Sequence, residues 1–425
     1  MRSKKPFSAA KSIFAIVAML VLALAVAPQP AQARKFKVLH TFNGKNGAGP
    51  MGVLIRDAAG NLYGTTAGGG AGKCSKFGCG TAFMLNKAGK QVWLHSFQGT
   101  NGLGPYAGLL RDAAGNLFGT TLEGGDTGCN APYGCGTVFK LDKTGKKETV
   151  LHKFTGIPDG YFPEALLVSD KAGNLYGTTY EGGADSLGAV FKIDTTRKEA
   201  VLYSFTGPPD GGGDGAFSYE GVIRDPAGNL YGVTSKGGAS GAGVVYELDT
   251  TGKETLLYSF SGGADGGDPD SALLFDSKGN LYGTTANGGT GCGGTGCGVV
   301  FKLSPQAGGS WPETVLYTFC SLANCTDGES PGDSLIMDRA GNLYGTTYFG
   351  GASHNCNGVG CGAVFKLDVT GKETVLHSFT GGRGGKFPFA GLVMDADGGL
   401  YGTTQAGGAT CYISSTCGLV FELTP

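Results

Sequence analysis

Several things are scarce in this sequence, and each absence narrows the field. Neither sign of charge dominates: 33 Lys and Arg stand against 34 Asp and Glu, a formal net charge of -1, and charged residues make up only 16% of the chain. Phosphate binding relies on clustered basic side chains, so a nucleic-acid partner is not expected. After residue 27 there is no second long apolar run, so no membrane span is expected in the body of the chain. No G-x-S-x-G elbow, H-E-x-x-H pair or phosphate-binding glycine loop occurs, which leaves the familiar hydrolase, metalloprotease and nucleotide chemistries without support. No cofactor and no metal are expected.

What is present begins with a leader. Arg2, Lys4, Lys5 and Lys11 precede the 15-residue apolar run IFAIVAMLVLALAVA, and PQPAQA follows, ending at Ala33. That run is shorter than the roughly 20 residues of a membrane span, and the small residues Ala31 and Ala33 suit signal peptidase. Residues 1–33 therefore read as a secretory signal peptide, and no cysteine stands after the run to suggest a lipoprotein. Removing four positive and no negative charges moves the net charge from -1 to -5. The expectation is a soluble, exported monomer.

Gly is abundant, 81 of 425 residues, and it is periodic. The stretch GNLYGTT, or a close variant, begins at Gly60, Gly115, Gly173, Gly228, Gly279, Gly341 and Gly398, seven times at spacings of 51 to 62 residues. Periods of this size mark solenoids, arrays or propellers. The second unit reads AGLLRDAAG, NLFGTT, a glycine-rich loop, GTVFKLDKTG and KETVLHKF. Each piece is strand-length and ends in turn residues: Asp112 to Asn116 and Asp142 to Lys146 suit tight hairpins, because Asp caps its own turn and Gly accepts positive φ. The spacing thus predicts four antiparallel strands per unit, here called A to D.

The ends of the repeat are complementary. KFKVLHTF, Lys35 to Phe42, is a strand D without A, B or C before it, and GLVFELTP at the end is a strand C without D after it. An open solenoid needs polar caps at both ends, whereas pairing these halves closes a ring and removes exposed sheet edges. The predicted fold is an all-β, seven-bladed β-propeller of four-stranded antiparallel blades over residues 35–425, closed by the N-terminal strand. The unit G-N-L-Y-G-T-T, then G-G, then G-x-V-F-K-L-D, then E-T-V-L-H-S-F also resembles the GloVer tandem repeat of exported bacterial proteins, over nearly all of residues 35–425. The resemblance implies export and a propeller-like fold and brings no catalytic residues.

The twelve cysteines form six near neighbours: Cys74 with Cys79, Cys129 with Cys135, Cys292 with Cys297, Cys320 with Cys325, Cys356 with Cys361, and Cys411 with Cys417. Five pairs lie between strands B and C, and the two units without one, at Ala184–Leu187 and Ala239–Ala242, have the shortest loops there. Cysteines arriving two at a time with the longer loop predict local disulfides in an exported protein. Zinc is disfavoured, because the gap exceeds Cys-x2-Cys and no second pair is expected beside each one. Closing such a loop is worth about 2 kcal/mol.

Antiparallel alternation puts the short A–B and C–D turns on one face and the long B–C and D–A loops on the other. Variable loops on a rigid scaffold usually carry function, so the predicted site is the disulfide-rich face and the mouth of the central channel. His40, His95, His152 and His377 share one strand-D position with Tyr203, Tyr258 and Tyr317, and that interchange points to packing rather than acid–base work. Asp57 and its six counterparts are turn residues by position. The acidic runs DGGGDG from Asp210 and DGGDPD from Asp265 read as solvated turns, since neither follows the 12-residue EF-hand pattern.

What breaks the repeat is more informative. Glu123 and Glu181 have no counterpart in other copies, His354 is the only histidine outside strand D, and Tyr106, Tyr133, Tyr180, Tyr348, Phe349 and Tyr412 place aromatics in or beside the loops. Aromatics with scattered polar groups suit sugar rings or a protein surface. The sequence reading is a recognition module for a glycan or a cell-surface protein. A polysaccharide lyase or lactonase using Glu181 or His354 is the rival, and a structural envelope component is a third possibility, since propellers host many functions.

Overall fold

The computed structural model describes residues 35–74, 76–207, 212–292, 296–353, 355–356, 358–411 and 417–424. The leader, His354, Tyr412 and Asp210 lie outside the described residues. Seven four-stranded antiparallel blades follow one another. In blade 1 strands A to D are Ile55–Arg56, Leu62–Thr66, Thr81–Leu85 and Gln91–Ser96, in that spatial order. Blade 7 takes A, B and C from Val393–Met394, Leu400–Thr404 and Leu419–Thr424 and its D from Lys35–Thr41, which runs antiparallel to C from Lys35 opposite Thr424 to Thr41 opposite Leu419. The split unit is therefore joined as the sequence predicts.

The recurrent GNLYGTT performs a different task at each letter. Asp57 Oδ1 accepts from the backbone N–H of Ala59 and Asn61, and its Oδ2 accepts from Asn61 Nδ2 and the Tyr63 hydroxyl, all at 2.8–3.0 Å. Gly60 sits at φ 83°, a left-handed position that a Cβ disfavours. Leu62 is buried, and a Cβ at Gly64 would stand 2.7 Å from both Leu54 and Phe83. The first Thr reaches the next blade: Thr65 Oγ1 donates to the Ala107 carbonyl at 2.7 Å, Thr120 to Ala165 at 3.1 Å, and Thr178 to Glu220 at 2.9 Å. The second Thr pairs with strand C, as in Thr66 with Thr81 at 2.7 Å.

The core lies between blades. The Phe that ends each strand D packs edge-on or tilted against the strand-C aromatic of the next blade. Phe42 with Phe83, Phe97 with Phe139, Phe154 with Phe191, Phe205 with Tyr246, Phe260 with Phe301, Phe319 with Phe365 and Phe379 with Phe421 all have centroids 4.9–5.3 Å apart. These rings are at most 1% exposed, and aromatic pairs at such distances add to simple area burial. The Phe42–Phe83 contact has the same geometry as the other six, so the closing junction packs like the rest.

The strand-D histidines and tyrosines sit over the same junctions. His95 Nε2 lies 2.9 Å from Glu148 of the next blade, His152 Nε2 3.1 Å from Asp159, and the Tyr317 hydroxyl donates to Asp327 at 2.8 Å. His377 instead stacks on Phe36 at 4.0 Å. His95 and His377 thus reach the neighbouring blade, whereas His152 and Tyr317 hold the D–A loop that follows their own strand.

All six cysteine pairs are bonded as read from the sequence, and the described residues hold no free cysteine. One expectation fails. The bridge in the D–A loop after blade 5, Cys320–Cys325, folds beside the B–C bridge of the same blade, Cys292–Cys297, with all four sulfurs within 4.8 Å of one another. A second pair thus does stand beside one of them, because both loops leave the same end of the blade. No helix among the described residues is long and apolar enough to cross a membrane.

Candidate functional site

The channel is shaped by a short segment preceding each strand A. At its start a residue takes positive φ: Gly49 and Gly104, but also Phe162, Phe217, Asp268, Ser330 and Phe387, at 51–67°. A bulky side chain there is strained. Six of the seven next residues are Pro, and each packs on the glycine that opens the previous blade's strand C; a Cβ at Gly80 would lie 2.4 Å from Pro105 Cδ. The residue after that faces the axis. In chain order it is Met51, Tyr106, Glu164, Tyr219, Asp270, Gly332 and Phe389, different in almost every blade.

These segments enclose a cavity of about 710 Å³, within the range of small-ligand sites. Met51, Val53, Tyr106 and Phe389 form an apolar and aromatic wall on blades 1, 2 and 7. Glu164, Glu220, Asp270 and Asp333, on blades 3 to 6, form the opposite wall. At the mouth Tyr180 stacks with Tyr219 at 4.3 Å and with Phe217 at 5.1 Å. Lys236 pairs with Asp268, which also accepts from Asn287 Nδ2 at 2.6 Å.

The acidic wall is held by the frame. Glu220 is fixed through its carbonyl by Thr178, and Asp333 through its N–H to the Phe389 carbonyl at 3.0 Å and its carbonyl to the Ala272 N–H at 3.0 Å. Burial, and then the charge of Glu181, pushes Glu164 up to about 7. Burial, and then Asp333, brings Asp270 to about 7, and Asp270 Oδ1 is buried with no hydrogen-bond partner. Glu220 is raised well above the carboxylate range by burial and by the charges of Asp333 and Asp270, and it hydrogen-bonds to Asp333. Asp333, 8% exposed, accepts from Glu220 and the Gly391 N–H. Burial and the neighbouring carboxyls thus favour the protonated form of Glu220 beside Asp333.

The residues singled out from sequence divide. Tyr106 and Tyr180 line the cavity. Glu123 and Glu181 do not line it; Tyr106 is raised by burial, then by Glu164 and then by Glu123, and Glu164 by burial and then by Glu181. Tyr348 reaches it indirectly: its hydroxyl donates to Gln405 Oε1 at 2.6 Å and its ring meets Phe389 at 6.0 Å. Phe349 packs on Tyr348 at 4.6 Å. Tyr133 is 48% exposed on the Cys129–Cys135 loop and does not line the cavity. Asp265 accepts from Tyr258 at 3.1 Å and from its own loop, and Asp270 faces the cavity, so the DGGDPD run is not the solvated turn expected of it.

Sequence reasoning missed Glu164, Tyr219, Glu220, Asp270 and Asp333. The signal was available in register: aligning the seven units on the Pro before strand A exposes these positions as the ones where the repeat fails.

Among solved structures the chain is similar to a catalytically inactive virginiamycin B lyase from Staphylococcus aureus with quinupristin, at 12% identity and TM-score 0.56, covering 92% of this chain and 99% of that one. It is also similar to a fungal alcohol oxidase of the AA5 family in complex with copper, at 15% identity and TM-score 0.60, covering 92% and 76%. At such identities the likeness is one of fold alone. No curated protein sequence matches the chain. The family model of the Gloeobacter/Verrucomicrobia repeat matches residues 28–213 and 210–421, and the chain belongs to that family.

Proposed function

We propose that the protein is an exported recognition propeller that seats a glycan in the channel cavity and carries out no chemistry on it. The observation behind this reading is the cavity itself, about 710 Å³, with aromatic faces at one side and mouth and carboxyl groups at the other. Aromatic faces take sugar rings and carboxyls take hydroxyl groups. A concave site suits an oligosaccharide better than the surface of a folded partner, which would rest on the rim. The leader and the loop disulfides support export.

The test is binding of residues 34–425, with disulfides intact, to a broad polysaccharide panel, with bound material checked for cleavage. Tyr219→Ala should weaken binding about tenfold, the loss of about 1.5 kcal/mol of ring contact. A second reading, a glycan-cleaving enzyme, has one specific support: Glu220 stands on the same cavity wall as Asp270 and Asp333 and is raised well above the carboxylate range by burial and by their charges, and carboxyls with separated proton affinities are the usual acid and base of such reactions. It predicts a product that disappears in Glu220→Gln.

A further inference from the structure

We propose that the sugar recognised in the channel carries a protonated amine, an inference that rests on the glycan-recognition reading above. Five carboxyls line the cavity, Glu164, Glu220, Asp268, Asp270 and Asp333, against one cation, Lys236. Lys236 is already engaged with Asp268. The other four therefore face the cavity without a positive partner among its lining residues.

Their own contacts do not satisfy them. Glu220 and Asp333 hydrogen-bond to each other, but Asp270 Oδ1 is buried with no hydrogen-bond partner, and Glu164 feels the like charge of Glu181. A neutral hydroxyl can donate to one such oxygen but leaves the repulsion in place. A cation removes both deficits, and an acidic sugar adds to them.

The aromatic side points the same way. Tyr180, Phe217 and Tyr219 cluster with centroids 4.3 and 5.1 Å apart, and Tyr106 and Phe389 line the same cavity. Aromatic faces carry a negative quadrupole, and rings grouped with carboxylates form the standard environment for an alkylammonium group. The match is therefore to an amino sugar with a free amine rather than its N-acetyl form or a uronic acid.

Calorimetry of residues 34–425 with glucosamine tetramer, N-acetylglucosamine tetramer and cellotetraose tests this. The glucosamine tetramer should bind at least about tenfold more tightly than the other two, and Asp270→Asn, nearly isosteric, should erase most of that margin. If cellotetraose or the acetylated tetramer binds as well as the amine form, the amine assignment is overturned while glycan recognition stands. If none of the three binds but another glycan of the panel does, the amine assignment again falls alone; if the whole panel fails, both readings fall. An unchanged preference in Asp270→Asn, with the variant's melting transition intact, also overturns it.

Discussion

Acidification from pH 8 to pH 5 should stabilise this protein, and the blade junctions say by how much. Glu254, Glu313 and Glu373 open strand D of blades 4, 5 and 6, and each has a buried Oε1 without a hydrogen-bond partner. Burial, and then the neighbouring Asp214, Asp265 or Asp327, pushes each up to about 7 from an ordinary 4.5. A carboxyl whose folded value is raised contributes most stability below the unfolded value, and loses it as pH climbs through the folded one. The ceiling is about 3.4 kcal/mol per group at 1.36 kcal/mol per unit, and partial solvent screening reduces it to roughly 1–1.5 kcal/mol. Three groups give about 4 kcal/mol, or about 5 °C in Tm for a domain of this size at roughly 2 cal/mol/K of unfolding entropy per residue. The channel carboxyls Glu164 and Asp270, also brought to about 7, act in the same direction. His377 opposes them, because burial holds it at about 4 and its neutral form is favoured as pH falls through 6.5. Scanning calorimetry at pH 5 and pH 8 should show the higher Tm at pH 5. The triple variant Glu254→Gln, Glu313→Gln, Glu373→Gln should raise Tm at pH 8 and shrink the difference by about 5 °C. A wild type less stable at pH 5, or a triple variant with the full pH difference, would refute this reasoning.

Other outcomes follow from the frame. Phe191→Ala, at a fully buried junction ring, should cost about 3–5 kcal/mol in denaturant unfolding. Gly64→Ala should cost about 1–3 kcal/mol, because its Cβ would stand 2.7 Å from Leu54 and Phe83. Deleting residues 34–41 removes strand D of blade 7 and should abolish the single cooperative transition, whereas removing the Cys129–Cys135 bridge with a double Cys→Ala variant should cost only about 2 kcal/mol and leave the fold in place by circular dichroism.

The frame was legible because it is made of what repeats. Asp57, Gly60, Leu62, Gly64 and the two threonines each have one structural duty, repeated in most of the seven units, and that repetition defines the blade; the orphan strand at Lys35 and the incomplete last unit then imply closure. The cavity was legible only in part, because it is made of what does not repeat. Tyr106 and Tyr180 stand out as aromatics beside loops. Glu164, Glu220, Asp270 and Asp333 break the repeat just after the Pro position before strand A, but that they share one wall appears only when the blades are wound round an axis. The neighbouring bridges Cys292–Cys297 and Cys320–Cys325 were hidden for the same reason, since different loops of one blade meet only in three dimensions.

The most direct measurement is titration of the intact protein and its Tyr219→Ala variant with the polysaccharide panel, followed by mass analysis of every bound glycan. Saturable binding of at least one glycan, returned uncleaved and weakened about tenfold by Tyr219→Ala, is the result expected if the channel cavity is a recognition site. Binding that Tyr219→Ala leaves unchanged would contradict that placement, and a cleaved product would contradict recognition without chemistry.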